Sequence, residues 1–142
     1  MTKYEDSLPL QLIRARDVSM DYFRPILADN EITEQQWRVM RVLDTLGEID
    51  FSTLSRECCI LGPSLTGIIN RLEKMGYVQR KKSASDGRKY YIHLTQKAKT
   101  LVDSLRPQIE AQYVQLKAKL GEEKYRQLSS LLNALIDTKE QT

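Results

Sequence analysis

Between Cys59 and Ser64 the chain reads Ile60-Leu61-Gly62-Pro63, a break standing between two short amphipathic helical patterns. Glycine permits a sharp turn, and proline suits the first turn of a helix, where its missing N–H has no intrahelical bond to lose. One helix must therefore end before this break and another start inside it. Upstream, a helix beginning after Asp50 buries Phe51, Leu54 and Cys58. Downstream, Leu65, Ile68, Ile69, Leu72 and Met75 share one face, and Gly76 supplies the stop. The opposite face of this second helix carries Ser64, Thr66, Gly67, Asn70, Arg71 and Lys74.

Two β-prone runs follow, YVQRKK at 77–82 and KYYIHL at 89–94, joined by the turn SASDGR. Their alternation predicts a hairpin. Its tip holds Asp86, Arg88 and Lys89, with Arg80, Lys81 and Lys82 just upstream. Charge is unevenly divided along the chain. Residues 1–48 hold six Lys/Arg against nine Asp/Glu, residues 49–93 eight against four, and residues 94–142 eight against six. The excess of cations sits in the middle third, as expected of a segment that meets a polyanion.

The flanks read as helices. Leu8, Leu12, Ala15, Ser19, Phe23 and Ile26 form a stripe, which Pro25 should bend or stop. Thr33 and Gln36 make a capping box for the next helix, Val39, Leu43 and Leu46 its core face, and Gly47 its end. Thr95 caps a long helix to Lys119, interrupted by Pro107. Glu122 to Asp137 forms the last, with Leu128, Leu131, Leu132, Leu135 and Ile136. The acidic start and DTKEQT read as frayed ends. Helix, break, helix and basic hairpin, in that order, is the winged helix-turn-helix pattern.

Several classes are excluded. A chain of 142 residues fits one domain. Its apolar stretches are too short to span a bilayer, and MTKYEDSLPL lacks the basic start and apolar core of a secretory signal, so a cytoplasmic protein without membrane partners is expected. Adjacent Cys58 and Cys59 supply neither a disulfide framework nor a CxxC site, and His93 has no second ligand nearby, so no metal is expected. No clustered nucleophile and base and no phosphate-binding glycine loop appears, which argues against an enzyme or a cofactor.

On SLTGIINRLEKMG, DGRKYYIHLT and the flanking helices, the chain resembles the MarR family of winged helix-turn-helix regulators over nearly its whole length. RARDVSMDYFRPI, TEQQWRVMRVL and CILGPSLTGIINRLEKMGYV extend the likeness, within that family, to repressors of aromatic catabolism. The resemblance implies a mainly α fold with a small β wing, in a homodimer that binds a palindromic operator in double-stranded DNA. It implies release by a small aromatic carboxylic acid such as homoprotocatechuate or a hydroxyphenylacetate. Residues 1–32 and 95–142 would then form the helical dimerisation region and residues 33–94 the DNA-binding region.

Within that frame Ser64 and Thr66 suit phosphates or base edges, Asn70 suits adenine, Arg71 suits guanine or phosphate, and Lys74 extends the same face. By the resemblance, Arg88 enters the minor groove, with Asp86 positioned to hold its guanidinium. Lys81, Lys82 and Lys89 would neutralise phosphates. A merely solvated polar face and a soluble hairpin are the plain alternatives. In the first helix Arg16 borders the apolar stripe and calls for an anion: a ligand carboxylate, Asp44, or a carboxylate of a second subunit. Trp37 and Met40, on the side of their helix away from Val39, could wall an aromatic pocket, with Ser19, Tyr22 and Arg41 as polar contacts. Cys58 and Cys59 are expected to serve buried packing, since a strained vicinal bridge is disfavoured and residues 1–57 contain no cysteine. A winged-helix module for protein–protein assembly, without specific DNA affinity, is the competing function.

Overall fold

The fold, from a computed structural model, is described for residues 3–139. After a 3-10 turn at Tyr4–Asp6 come α1 (Leu8–Asp21), α2 (Arg24–Asp29), α3 (Glu34–Leu46), β1 (Ile49–Asp50), α4 (Phe51–Cys58) and α5 (Gly62–Lys74). They are followed by β2 (Val78–Lys82), β3 (Tyr90–Leu94), α6 (Gln96–Leu120) and α7 (Glu122–Asp137). The fraying expected of the acidic start and of residues 137–142 falls only in part outside the described residues; within them Tyr4–Asp6 forms the 3-10 turn, Asp137 ends α7, and the Thr138 and Lys139 N–H groups donate to the Leu135 and Ile136 carbonyls.

The chain divides into two compact units. One joins the residues up to Phe23 with those from Ile109 onward; the other runs from Arg24 to Gln108. In the second unit, Val39, Met40 and Leu43 of α3, Leu54 and Cys58 of α4, and Leu65, Ile69 and Leu72 of α5 bury together. Val78, Ile92 and Leu94 of the strands and Ala98 and Val102 of α6 complete the core. The sheet is antiparallel in the order β1-β3-β2, with Arg80 opposite Ile92 and Ile49 also opposite Ile92. Two residues are too few to show alternation, which is why β1 escapes a sequence reading. In the first unit Phe23 meets Tyr113 with ring centroids 4.8 Å apart.

The expected caps form. Thr33 Oγ1 accepts the Gln36 N–H at 3.1 Å, and Gln36 Oε1 accepts the Thr33 N–H at 3.0 Å. Gly47 takes φ 77° at the end of α3, a conformation that strains any side-chain-bearing residue. Thr95 Oγ1 accepts the Ala98 N–H at 3.3 Å and donates to the Gly76 carbonyl at 2.6 Å, tying the start of α6 to the end of α5.

Pro25 stops the first stripe as expected: it lacks an N–H and its ring crowds the carbonyl four residues back, so α1 ends at Asp21 and Pro25 sits in the first turn of α2. Two expectations need correction. Pro107 lies inside α6 without ending it; Val102, Leu105 and Ile109 are buried on both sides of it and hold the adjoining turns. On α3, Met40 joins Val39 and Leu43 in the core with no exposed surface, while Leu46 is 48% exposed.

Asp50 caps α4: its carboxylate accepts the Thr53 hydroxyl at 2.5 Å and the Thr53 N–H at 3.3 Å. The Thr53 hydroxyl bond foremost holds the carboxyl below its ordinary value. A folded-state pKa below the unfolded one adds stability at neutral pH that is lost as pH falls through the carboxylate range. Asp50→Ala is expected to cost about 1 kcal/mol in urea unfolding at pH 7, with the deficit shrinking toward pH 3. A deficit equal at both pH values would count against the cap.

Candidate nucleic-acid interface

The turn from α4 into α5 is closed by its own hydrogen bonds. Cys59 adopts the left-handed conformation at φ 55°, the Ile60 N–H donates to the Ser55 carbonyl at 3.1 Å, and the Ser55 hydroxyl donates to the Ile60 carbonyl at 2.5 Å. Arg38 of α3 clamps the same turn, donating to the Cys58 carbonyl at 2.9 Å while its other nitrogens grip Glu34 at 2.7 and 3.0 Å. The Glu34 hydrogen bond raises the Arg38 pKa, so this charge stays on. With α5 so anchored and Leu65, Ile69 and Leu72 buried, the opposite face turns to solvent: Ser64, Thr66, Gly67, Asn70, Arg71 and Lys74 are all exposed. Above Gly67 lies open space, and Thr66 spends its hydroxyl proton on the Gly62 carbonyl at 3.1 Å.

The wing is equally open. Lys81, Lys82, Asp86, Arg88 and Lys89 are exposed. Its tip is a polar turn in which Ser83 Oγ accepts the N–H groups of Ser85 and Asp86, each at 3.3 Å, and the Lys89 N–H donates to the Asp86 carbonyl at 3.1 Å. Asp86 acts differently from expectation. Its carboxylate accepts the backbone N–H of Arg88 at 3.0 Å, so it shapes the turn beneath the arginine, and no hydrogen bond or ion pair among the described residues joins it to the guanidinium. A short acidic side chain two residues before an N–H closes an Asx turn more readily than it reaches a long flexible side chain.

One residue was missed. Arg80, on β2, donates to Asn70 Oδ1, lies 3.5 Å from Glu73 Oε2 and stacks its guanidinium 5.2 Å from the Tyr90 ring centroid. Strand alternation places Val78 and Arg80 on one face, and Val78 is buried; that was the available signal.

The residues considered for a ligand lie on both units. Arg16 and Ser19 are on α1, where the Ser19 hydroxyl donates to the Arg16 carbonyl at 2.8 Å, and Tyr22 caps that helix. On α3, Trp37 packs against the core with the Arg41 guanidinium 5.7 Å from its ring. Met40 is in the core beside them rather than on a separate face. Asp44 pairs with Arg106 of α6 at 3.1 Å. Cys58 is buried as expected, but Cys59 is exposed, because the left-handed cap turns it out of the core. His93 Nε2 lies 3.2 Å from Gln79 Oε1, and Nδ1 lies 3.7 Å from Glu48. Among the described residues no group of three or more His, Cys, Asp or Glu is placed to hold a metal, and no helix is long and apolar enough to cross a membrane.

A tight two-helix turn presenting one polar helix face, flanked by a basic β wing, defines a winged helix-turn-helix protein of the nucleic-acid-binding class. The chain belongs to the MarR family, whose profile matches residues 32–90. It is 45% identical over 131 residues to the homoprotocatechuate degradative operon repressor of Escherichia coli, covering 92% of this chain and 88% of that one. It is 43% identical over 129 residues to the HTH-type transcriptional regulator FarR of Neisseria gonorrhoeae, covering 91% and 88%. The crystal structure of NadR in complex with 4-hydroxyphenylacetate superposes with a TM-score of 0.81 at 40% identity, covering 95% of this chain and 96% of that one. The protein is thus a transcriptional regulator and not an enzyme.

The two cysteines should separate chemically. Burial pushes the Cys58 thiol up to about 11, whereas Cys59 faces solvent. Iodoacetamide at pH 8 is expected to modify Cys59 alone in the folded protein and both in denaturant, read by mass spectrometry. Equal labelling of Cys58 in the native state would contradict its burial.

Proposed function

We propose that the protein is a cytoplasmic, homodimeric repressor that binds a palindromic operator in double-stranded DNA and leaves it when a small aromatic carboxylic acid binds. One observation carries the DNA half of this reading. Ser64, Thr66, Asn70, Arg71 and Lys74 on α5 and Lys81, Lys82, Asp86, Arg88 and Lys89 on the wing are all exposed, while the opposite face of α5, with Leu65, Ile69 and Leu72, is packed into the core. An α-helix fits the major groove, and small residues at its start let the backbone approach the bases. Arg88 suits the minor groove, where narrow A·T-rich DNA concentrates negative potential, and the wing lysines suit phosphates.

Reading a palindrome takes two copies related by a two-fold axis. Supporting this, α1 and α7 have no buried residue, and Ile13, Val18, Val114, Leu128, Leu131, Leu135 and Ile136 are exposed apolar side chains of the first unit. Residues 1–32 and 95–142 are accordingly the proposed dimerisation region and 33–94 the DNA-binding region. The effector class rests on the relatives: one is named for homoprotocatechuate breakdown, and another was crystallised with 4-hydroxyphenylacetate. Arg16 is the proposed carboxylate partner, with Ser19 and Tyr22 near it in sequence; on α3, Trp37, backed by Met40, and Arg41 are the proposed aromatic and cationic contacts.

Binding to the DNA upstream of the protein's own gene, followed by fluorescence anisotropy with phenylacetates, benzoates and cinnamates, tests both halves. Arg88→Ala is expected to weaken binding by about 1–3 kcal/mol, and Arg16→Ala to keep DNA affinity but lose release. Binding that no aromatic acid relieves would remove the effector. Light scattering should give twice the 16.5 kDa chain mass, and Leu131→Glu should return the monomer with loss of DNA affinity. A monomeric wild type would refute the dimer.

A further inference from the structure

Arg80 differs from the other cations of the two wing strands and their turn. Like its neighbours Lys81 and Lys82 it is exposed, but its side chain, 30% accessible, is engaged from three directions by Asn70, Glu73 and Tyr90. Asn70 and Glu73 belong to α5, while Arg80 and Tyr90 belong to the two strands of the wing. This one side chain therefore cross-links the wing to the face that is proposed to meet DNA. Tyr90 in turn packs on Phe51 of α4 with centroids 5.9 Å apart, so the stack rests on the core rather than on solvent.

The chemistry of the Asn70 contact has a direct consequence. A guanidinium can only donate, so the amide atom facing it must be the oxygen, and the Asn70 amide has one assignable orientation. A bidentate adenine contact needs that oxygen to accept from N6 while the nitrogen donates to N7. Arg80 takes one of the two lone pairs of Oδ1 and so fixes the plane of the amide, leaving both Nδ2 donors for DNA. Those match acceptors in the major groove: purine N7, guanine O6 or thymine O4.

We propose that Arg80 is a positioning residue for operator recognition, holding Asn70 as a hydrogen-bond donor toward the base edges. The proposal rests on the DNA-binding reading above and adds to it that the Asn70 donors, and not its oxygen alone, set the base preference, adenine N7 included. Glu73 balances the charge of Arg80 and Tyr90 stacks on it, so that Arg80 is committed to the protein and does not serve as a phosphate contact. Lysine cannot reproduce this, because a point-charge ammonium lacks the planar fork that donates in one direction while stacking on a ring.

The test uses the full-length protein and a pool of randomised duplexes, with bound sequences read at each position and affinities measured across a salt series. Wild type is expected to enrich a motif. Arg80→Lys and Arg80→Met should flatten preference by about tenfold at the same positions that Asn70→Ala flattens. Arg80→Lys should leave the salt dependence and the affinity for an unrelated duplex unchanged, and Arg80→Met should add nothing further in an Asn70→Ala background. Thermal melts establish that each variant is folded, and Arg80→Lys carries the test if Arg80→Met is not. A uniform loss across all sequences, with a salt slope smaller by about one in Arg80→Met and full recovery in Arg80→Lys, would make Arg80 a phosphate contact and overturn the proposal. Additive effects of Arg80 and Asn70 would overturn it as well. A wild type that enriches no motif would instead overturn the DNA-binding reading itself, and the proposal with it.

Discussion

The burial of Leu65, Ile69 and Leu72 decides how the rest of the second unit is arranged. Each is fully removed from solvent and contributes about 1.5–3 kcal/mol through its apolar surface. Because the three recur at helical spacing, sinking them into the core leaves α5 a single rotational setting. Every polar residue on its other side is then outward by geometry, whatever its own preference. The closed turn at Cys59 and Ile60, held by Ser55 and Arg38, sets where this helix begins, and the Thr95 bond to Gly76 sets where it hands over to the wing and α6.

Electrostatics acts on that frame in two distinct ways. Outward cations on α5 and the wing keep their donors available to a polyanion, which gives salt-dependent attraction without fixed geometry. Others are spent on the protein: Arg38 on Glu34 and the end of α4, Arg106 on Asp44 and Asp103, and Arg80 on Asn70 and Glu73. The second group supplies direction. Even Asp86 belongs with it, since its carboxylate organises the backbone under Arg88 instead of neutralising the side chain.

Helical periodicity made the outward face of α5 legible, because apolar residues at three- and four-residue steps leave no doubt about which side is buried. The caps at Thr33 and Thr95 were legible for a local reason: a hydroxyl of that length reaches the N–H two or three residues on and little else. Met40 and Cys59 were misread because both depend on a rotation or a backbone dihedral set by neighbours. Met40 shares the buried side with Val39 once α3 meets its partners, and the left-handed φ of Cys59 turns it away from the core that takes Cys58. β1 is two residues long and exists only because β3 is there to pair with it.

From the sequence alone came the element order, the winged pattern, the family and the set of exposed polar residues, because each depends on interactions between residues close along the chain or on repeated spacing. The partners of those residues were decided only by the tertiary structure. Arg80 and Asn70 are ten positions apart, Arg106 and Asp44 sixty-two. A hydrogen bond across such a separation follows from where the packed core leaves two side chains, and residue spacing carries no record of that distance.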